Sequence, residues 1–376
     1  MDANRPFLVV PKLVEQPTWG GTYLAKLKGW QKRAALQNTR IGQTYELSGS
    51  SQLAVELSDS NDERFVEEGV VAARVISLKN LINSDPKAIL GEKVYNNHGK
   101  MPLLIKLNQA KGNSFQLHVR NGVVDDRWRP KPESWYFLED GYISCGVRDD
   151  ADVREYKAVC QEIEKHMKDL SERVVIGELL VSQAREDAIT FISQRDPHRF
   201  VNLQHTSKHE LIDLSLGGIH HSWEEDSENP LGNILFEIQY DVMDEFCTIR
   251  SFDQGKIKDD GTIREIHIDD YFKYIDTRPQ NNNVTNLKPT PQGETLLATP
   301  YYNLDLLDIQ QTRTINVHDS FHHMYVRDGV VEITSYSGVK IRVSRGHSCF
   351  IPYCVGSYTV QPVEPSVLLK SYIYTT

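Results

Sequence analysis

Residues 101–137 read MPLLIKLNQAKGNSFQLHVRNGVVDDRWRPKPESWYF. The run Pro102-Leu103-Leu104-Ile105-Lys106-Leu107 is dominated by apolar residues. The segments Gln116-Leu117-His118 and Glu133-Ser134-Trp135-Tyr136-Phe137 follow across a Gly- and Asp-containing turn, so the pattern predicts strand, turn, strand. On a strand, side chains two apart share a face. Gln116 and His118 therefore point one way while Leu117 and Val119 point the other. An antiparallel partner carrying Glu133 could place a carboxylate opposite that amide and imidazole. Oxygen and nitrogen donors without a thiolate suit zinc or another divalent first-row ion.

The remainder of the chain sets the frame. With 376 residues, 39% hydrophobic and 25% charged, it is an ordinary globular composition too long for one core, which predicts two domains. A formal charge of −10 argues against nucleic acid or an anionic membrane as partner. The five cysteines (Cys145, Cys160, Cys247, Cys349, Cys354) are scattered, with no C-x-x-C pair, which predicts free thiols in a reducing compartment. Residues 1–10 do not resemble a signal peptide, and no stretch approaches a membrane span in length. A cytoplasmic location is expected.

Strand-like runs occur at Phe7-Leu8-Val9-Val10, Gln43 to Ser48, Leu53 to Leu57, Phe200 to Leu203, Ile234 to Gln239 and Thr248 to Asp253. Trp19-Gly20-Gly21-Thr22 reads as a tight loop beside an aromatic ring. A helix is expected around Leu78 to Leu81 in the mixed interval Phe65 to Asn83. From about residue 150 to 196 the character changes: Tyr156, Val159, Ile163, Met167 and Leu170 recur at helical spacing with charges between them, predicting a helical insertion. Gly217-Gly218-Ile219-His220-His221 is a glycine turn delivering two adjacent histidines, of which only one can face inward. Residues 224–230 form an acidic loop. The polar segment Thr277 to Gly293 reads as a linker, and short strands separated by Gly turns follow to the end. The expected fold is mainly β: two jelly-roll domains, residues 1–280 with the helical insertion in the first, and residues 281–376.

Eight segments occur together in one order: Trp19-Gly20-Gly21-Thr22, Pro102 to Lys106, Gln116-Leu117-His118, Lys131-Pro132-Glu133, Gly218-Ile219-His220, Glu237-Ile238-Gln239, Thr248-Ile249-Arg250 and Arg264-Glu265-Ile266-His267. That order resembles the type I mannose-6-phosphate isomerases from near the N-terminus to about Ile275, and more loosely beyond. The resemblance implies cupin barrels and one Zn²⁺ per chain held by Gln116, His118, Glu133 and His220, with His221 the rival fourth ligand. It further implies Lys131 and Arg250 as catalytic residues, Trp19 and Lys106 as substrate-binding residues, a small-molecule sugar phosphate as partner, and a monomer or homodimer. The implied reaction interconverts mannose 6-phosphate and fructose 6-phosphate through a cis-enediolate.

The chain also departs from the family pattern. His118 is followed by Val119 where the family has proline and an acidic turn, and the interval to Glu133 is 133 − 118 = 15 positions. This altered turn would suit a non-catalytic sugar-phosphate-binding cupin. A third reading, a bicupin metal oxygenase, would draw on His318, His322, His323 and His347, which lack any His-x-His spacing.

Overall fold

The computed structural model describes residues 3–17, 19–32, 36, 38–55, 75–110, 115–222, 229–318 and 320–374. The Phe65 end of the mixed interval and the acidic residues 224–228 lie outside them. Two compact units are present: one formed by Met1–Gln109, Leu235–Asp241 and Pro289–Thr376, the other by Ala110–Ile234 and Val242–Lys288. The architecture is mainly β, in antiparallel sheets, as the strand patterns predict.

In the first unit an eight-stranded sheet runs in the order 295–298, 303–309, 366–372, 322–328, 348–351, 7–10, 52–54, 75–77. Phe7 pairs with Phe350 and Leu8 with Cys349, so the N-terminal strand is built into the C-terminal strands. A four-stranded sheet of 313–316, 357–362, 330–335 and 340–344 supplies the rest of this jelly roll. The core between them is aliphatic, including Met324, Val326, Val331, Ile333, Val343 and Leu368. Strands Lys12–Glu15, Ile41–Leu47, Leu103–Ala110 and Asn233–Tyr240 also run side by side. Every residue of Leu103–Ala110 is buried, Lys106, Asn108 and Gln109 among them, so the strand does not alternate between buried and exposed positions. Helix Leu78–Ser84 lies where a helix was expected.

The second unit holds the strands that carry Gln116, His118, Glu133 and His220. Five antiparallel strands lie in the order Val201–Thr206, Gly141–Val147, Gly218–Ser222, Phe115–His118, Ile249–Phe252, with Glu133–Phe137 and Leu211–Asp213 paired separately. One face of the five-stranded sheet is covered by helix Val153–Val175. Asp152 caps its start by accepting from the amides of Arg154 and Glu155. The helix buries Tyr156, Val159, Cys160, Ile163, Met167 and Leu170 along one stripe, and Ala184, Ala188 and Ile192 of helix Val181–Arg195 join the same core. Phe115, Leu117, Ile219, Ile249 and Phe252 meet them from the sheet. The segment read as a linker carries a helical turn at Pro279–Asn282 and a 3₁₀ turn at Val284–Leu287, and the chain passes from the second unit to the first between Lys288 and Pro289. Among the described residues, no helix is long and apolar enough to cross a membrane.

Candidate metal centre

Alternation on Phe115–His118 sends Phe115 and Leu117 into the helix-covered core, so Gln116 and His118 must face the opposite side of the sheet. Register then aligns the neighbours. Gln116 lies opposite His220 on one side and opposite Arg250 on the other, while His118 lies opposite Gly218. Directly opposed residues project from the same face, which puts Arg250, Gln116 and His220 in one row across three strands.

Glu133 completes the cluster. One carboxylate oxygen is 2.6 Å from His220 Nε2 and the other is 3.6 Å from His118 Nε2. Gln116 Nε2 lies 3.0 Å from the same His220 nitrogen, and the reversed amide would present its oxygen there instead. The donor atoms of His118, Glu133 and His220 are mutually within 4.8 Å, and the three side chains are at most 1% exposed.

The chemistry of these donors fits a divalent ion. His118 Nε2, both Glu133 oxygens and His220 Nδ1 are buried without a hydrogen bond of proper geometry; Lys131 answers the Glu133 charge at 2.9 Å, and the imidazole nitrogens and carboxylate oxygens keep lone pairs for a divalent ion. His118 Nδ1 lies 2.6 Å from the Cys247 carbonyl and donates to it, which fixes the tautomer and aims the Nε2 lone pair into the cluster. Burial pushes the His118 pKa down, and Lys131 adds to the effect. Burial alone would raise Glu133, but Lys131, then His220 and His118, hold it well below the usual carboxylate range. A neutral imidazole and an ionised carboxylate are the forms that bind metal.

Around the cluster, Lys131 is buried with Nζ 2.9 Å from Glu133 Oε2. The Arg250 Nε is buried and makes no hydrogen bond. Burial lowers the Arg250 pKa and the neighbouring Arg264 lowers it further, against Asp244 and Asp253. Arg264 Nε is 3.3 Å from the buried Asp253. His221 occupies the other face of its strand, stacked on Phe115 with ring centroids 4.3 Å apart. His220 is therefore the member of the pair beside Glu133.

Two further candidates lie in the first unit. Lys106 Nζ is 3.2 Å from Glu237, whose other oxygen accepts from Asn108 Nδ2 at 2.7 Å. Trp19 is buried, with its ring against Gly42. The C-terminal histidines disperse: His322 bonds the Tyr358 hydroxyl at 2.9 Å, His323 faces Phe236, His347 lies 3.3 Å from the Lys28 carbonyl and His318 is exposed. Among the described residues they form no metal-capable group of three. Sequence reasoning missed the Cys247 carbonyl and the Trp135 ring, which stands perpendicular to that of His220 with centroids 5.2 Å apart. A backbone acceptor leaves no mark on side-chain pattern; Trp135, two positions from Glu133 on one strand, was open to the same alternation rule.

Comparison with known proteins gives a clear result for the fold. A putative mannosephosphate isomerase from Archaeoglobus fulgidus superposes with a TM-score of 0.65 at 17% identity, covering 98% of each chain. The mannose 6-phosphate isomerase from Bacillus subtilis gives 0.64 at 15% identity, covering 98% of this chain and all of the other. A mannose 6-phosphate isomerase solved with zinc bound gives 0.66 at 15%, with the same coverage. The chain shares their fold along nearly its whole length. No protein-family model and no curated protein sequence matches it.

Proposed function

We propose that this chain is a zinc-dependent aldose–ketose isomerase that interconverts mannose 6-phosphate and fructose 6-phosphate. The observation that supports this most is the buried His118, Glu133, His220 cluster, with the half-buried Gln116 and with Lys131 and Arg250 beside it, in a chain sharing the fold of solved mannose-6-phosphate isomerases, one of them solved with zinc. Gln116, His118, Glu133 and His220 would hold one ion. When bound, that ion supplies Lewis-acid stabilisation of negative charge on the sugar oxygens.

The difficult step is removing a proton from C2 beside the carbonyl. It gives a cis-enediolate that is reprotonated at C1. Lys131, buried with Nζ 2.9 Å from Glu133, is assigned the proton transfer: as the neutral amine it would accept the C2 proton, and as the ammonium so formed it would return that proton to C1. Arg250 does not deprotonate, so its role is to orient the sugar and stabilise enediolate charge. Lys106 is assigned the phosphate and Trp19 the border of the sugar. A cytoplasmic location and a monomer or homodimer complete the reading.

A coupled assay on several hexose 6-phosphates, with and without chelator, tests it. Mannose 6-phosphate and fructose 6-phosphate should equilibrate, turnover should vanish on chelation, and added zinc should restore it. Metal-loaded protein that binds sugar phosphate but never equilibrates the two would make this a non-catalytic sugar-binding cupin. Oxygen consumption would point to an oxygenase.

A further inference from the structure

The strand that carries Arg250 is interrupted at that residue. Along Phe115–His118 the partners step by one, from Gln116 to Phe115, while along Ile249–Phe252 they step by two, from Arg250 to Phe252. The extra residue is Ser251, and the irregularity has the character of a β-bulge. Its effect on facing is large. In regular pairing Arg250 and Phe252 would share a face, yet Phe252 stacks on Phe115 in the helix-covered core while Arg250 lines up with Gln116 on the opposite side.

A bulge leaves the local backbone short of ladder partners, so something else must hold Arg250. His267 does this at two points. Its backbone amide donates to the Arg250 carbonyl at 2.8 Å, and its side-chain Nδ1 accepts from the Arg250 amide at 3.2 Å. Both backbone groups of Arg250 therefore turn away from Gln116 towards His267. The Arg250–Gln116 pair is then of the non-hydrogen-bonded kind, in which side chains approach most closely.

The imidazole is itself fixed. Its side chain is 5% exposed, the Trp128 ring stands edge-on at 5.0 Å, and Nε2 faces Glu265 at 3.4 Å. With Nδ1 accepting, the neutral ring carries its proton on Nε2, directed at the Glu265 carboxylate. Arg127 also approaches Nε2 at 3.2 Å, and both donors converge on Glu265, which Arg127 reaches at 3.1 Å. Burial lowers the His267 pKa, against the pull of Glu265, which keeps Nδ1 free to accept. His267 also begins helix Ile268–Tyr274, whose Tyr271 is buried against Tyr156, so the clamp is anchored in the helical core.

We infer that His267 is a positioning residue that holds Arg250 at the bulge, aimed towards Gln116 and His220, through the acceptor nitrogen Nδ1. The inference rests on the isomerase reading for its kinetic consequence, but its structural content does not. Asparagine places an acceptor oxygen near the position of Nδ1, whereas glutamine and phenylalanine do not.

The test compares His267→Asn, His267→Gln and His267→Phe in the zinc-loaded full chain. Expected are a fall in kcat of about tenfold or more for the Gln and Phe variants, with smaller changes in KM, and most of wild-type kcat for Asn. In wild type, nitrogen NMR of histidine-labelled protein should show His267 protonated on Nε2 alone. The Arg250 Nε–H resonance should keep its position in the Asn variant and shift in Gln and Phe. Equal activity in all three variants, equal loss in all three, or a proton on Nδ1 would each overturn the inference. A wild-type chain with no isomerase activity would instead remove the functional reading, and the two resonances would still decide whether His267 holds Arg250. Should the Phe variant fail to fold, the Asn and Gln pair carries the same comparison.

Discussion

At the scale of single residues, the histidine pair separates a proposed ligand from packing. His220 lies 2.6 Å from Glu133, and His221 stacks on Phe115 on the other face of the strand. Replacing His118 by alanine removes a donor whose tautomer is already set by the Cys247 carbonyl, so zinc affinity should fall by more than the 10- to 100-fold typical of losing an outer partner. Metal content after dialysis should drop from about one per chain to near zero. His221→Ala should keep its metal and lose stability through the lost ring contact. If the two variants retain equal zinc, the cluster is not the binding site. The pairing of Gln116 with His118 was legible in the sequence because a strand repeats every two residues. The choice between His220 and His221 was not legible in the strand pattern, where only the family resemblance pointed to His220, because it depends on register with Phe115–His118, whose partners lie a hundred or more residues away.

At the scale of elements, turns and bulges decide where these side chains point. Gly217 has φ +78°, and a Cβ there would meet the Val119 carbonyl oxygen at 2.7 Å and that of His118 at 2.8 Å. Gly217→Ala should therefore cost roughly 1–3 kcal/mol and weaken zinc binding, because the turn delivers His220. Urea denaturation of the metal-free protein and a zinc titration read the two effects separately. Unchanged values in both would mean the turn adapts at no cost. The glycine pair was legible as a turn, and the helical spacing of Tyr156 to Leu170 coincides with helix Val153–Val175. The bulge at Ser251 had no such signal, since nothing in Thr248 to Asp253 marks an extra residue, and so the His267 clamp was invisible although His267 ends the segment Arg264 to His267 that carries part of the family resemblance. Strand His322–Asp328 gives a pH prediction. Burial pushes His322 down to about 3, with Lys370 adding to it. It pushes His323 down to about 3 as well, where Lys28 adds and the Glu46 backbone opposes. The unfolded chain titrates near 6.5, so between about pH 6.5 and 3 it binds more protons than the folded one. Stability from this source is complete above 6.5 and falls as the pH drops, by about 1.4 kcal/mol per pH unit for each histidine. Unfolding midpoints measured from pH 8 to 5 should decline below 6.5, and less steeply in His323→Leu. An equal slope in that variant would show that His323 does not report on folding.

At the scale of the whole chain, the N-terminal residues are held by residues more than three hundred positions away, and a buried ion pair marks the junction. Lys28 Nζ lies 2.7 Å from Glu46 and donates to the Gly346 carbonyl at 2.6 Å, a sequence separation of 318. Thr44 and Ser348 hydroxyls donate to the two Glu46 oxygens at 2.6 and 2.9 Å, so the carboxylate is fully answered. Neither side chain is more than 1% exposed, and burial lowers the Lys28 pKa in spite of Glu46. Pairing between such distant residues has no local signature, which is why Phe7–Val10 reads as a strand in the sequence while its pairing with Ser348–Ile351 does not. Desolvating two charges is expensive, so the pair is not an argument for stability by its presence; its consequence appears when one partner is removed. Lys28→Met or Glu46→Gln alone should destabilise the first unit by about 3–5 kcal/mol, because each leaves the other group buried with its main partner missing. The double variant should recover much of that loss, since a neutral pair needs no charge compensation. A double-mutant cycle by urea denaturation measures the coupling directly, and additive losses would mean that Lys28 and Glu46 are stabilised independently by the Gly346, Thr44 and Ser348 contacts.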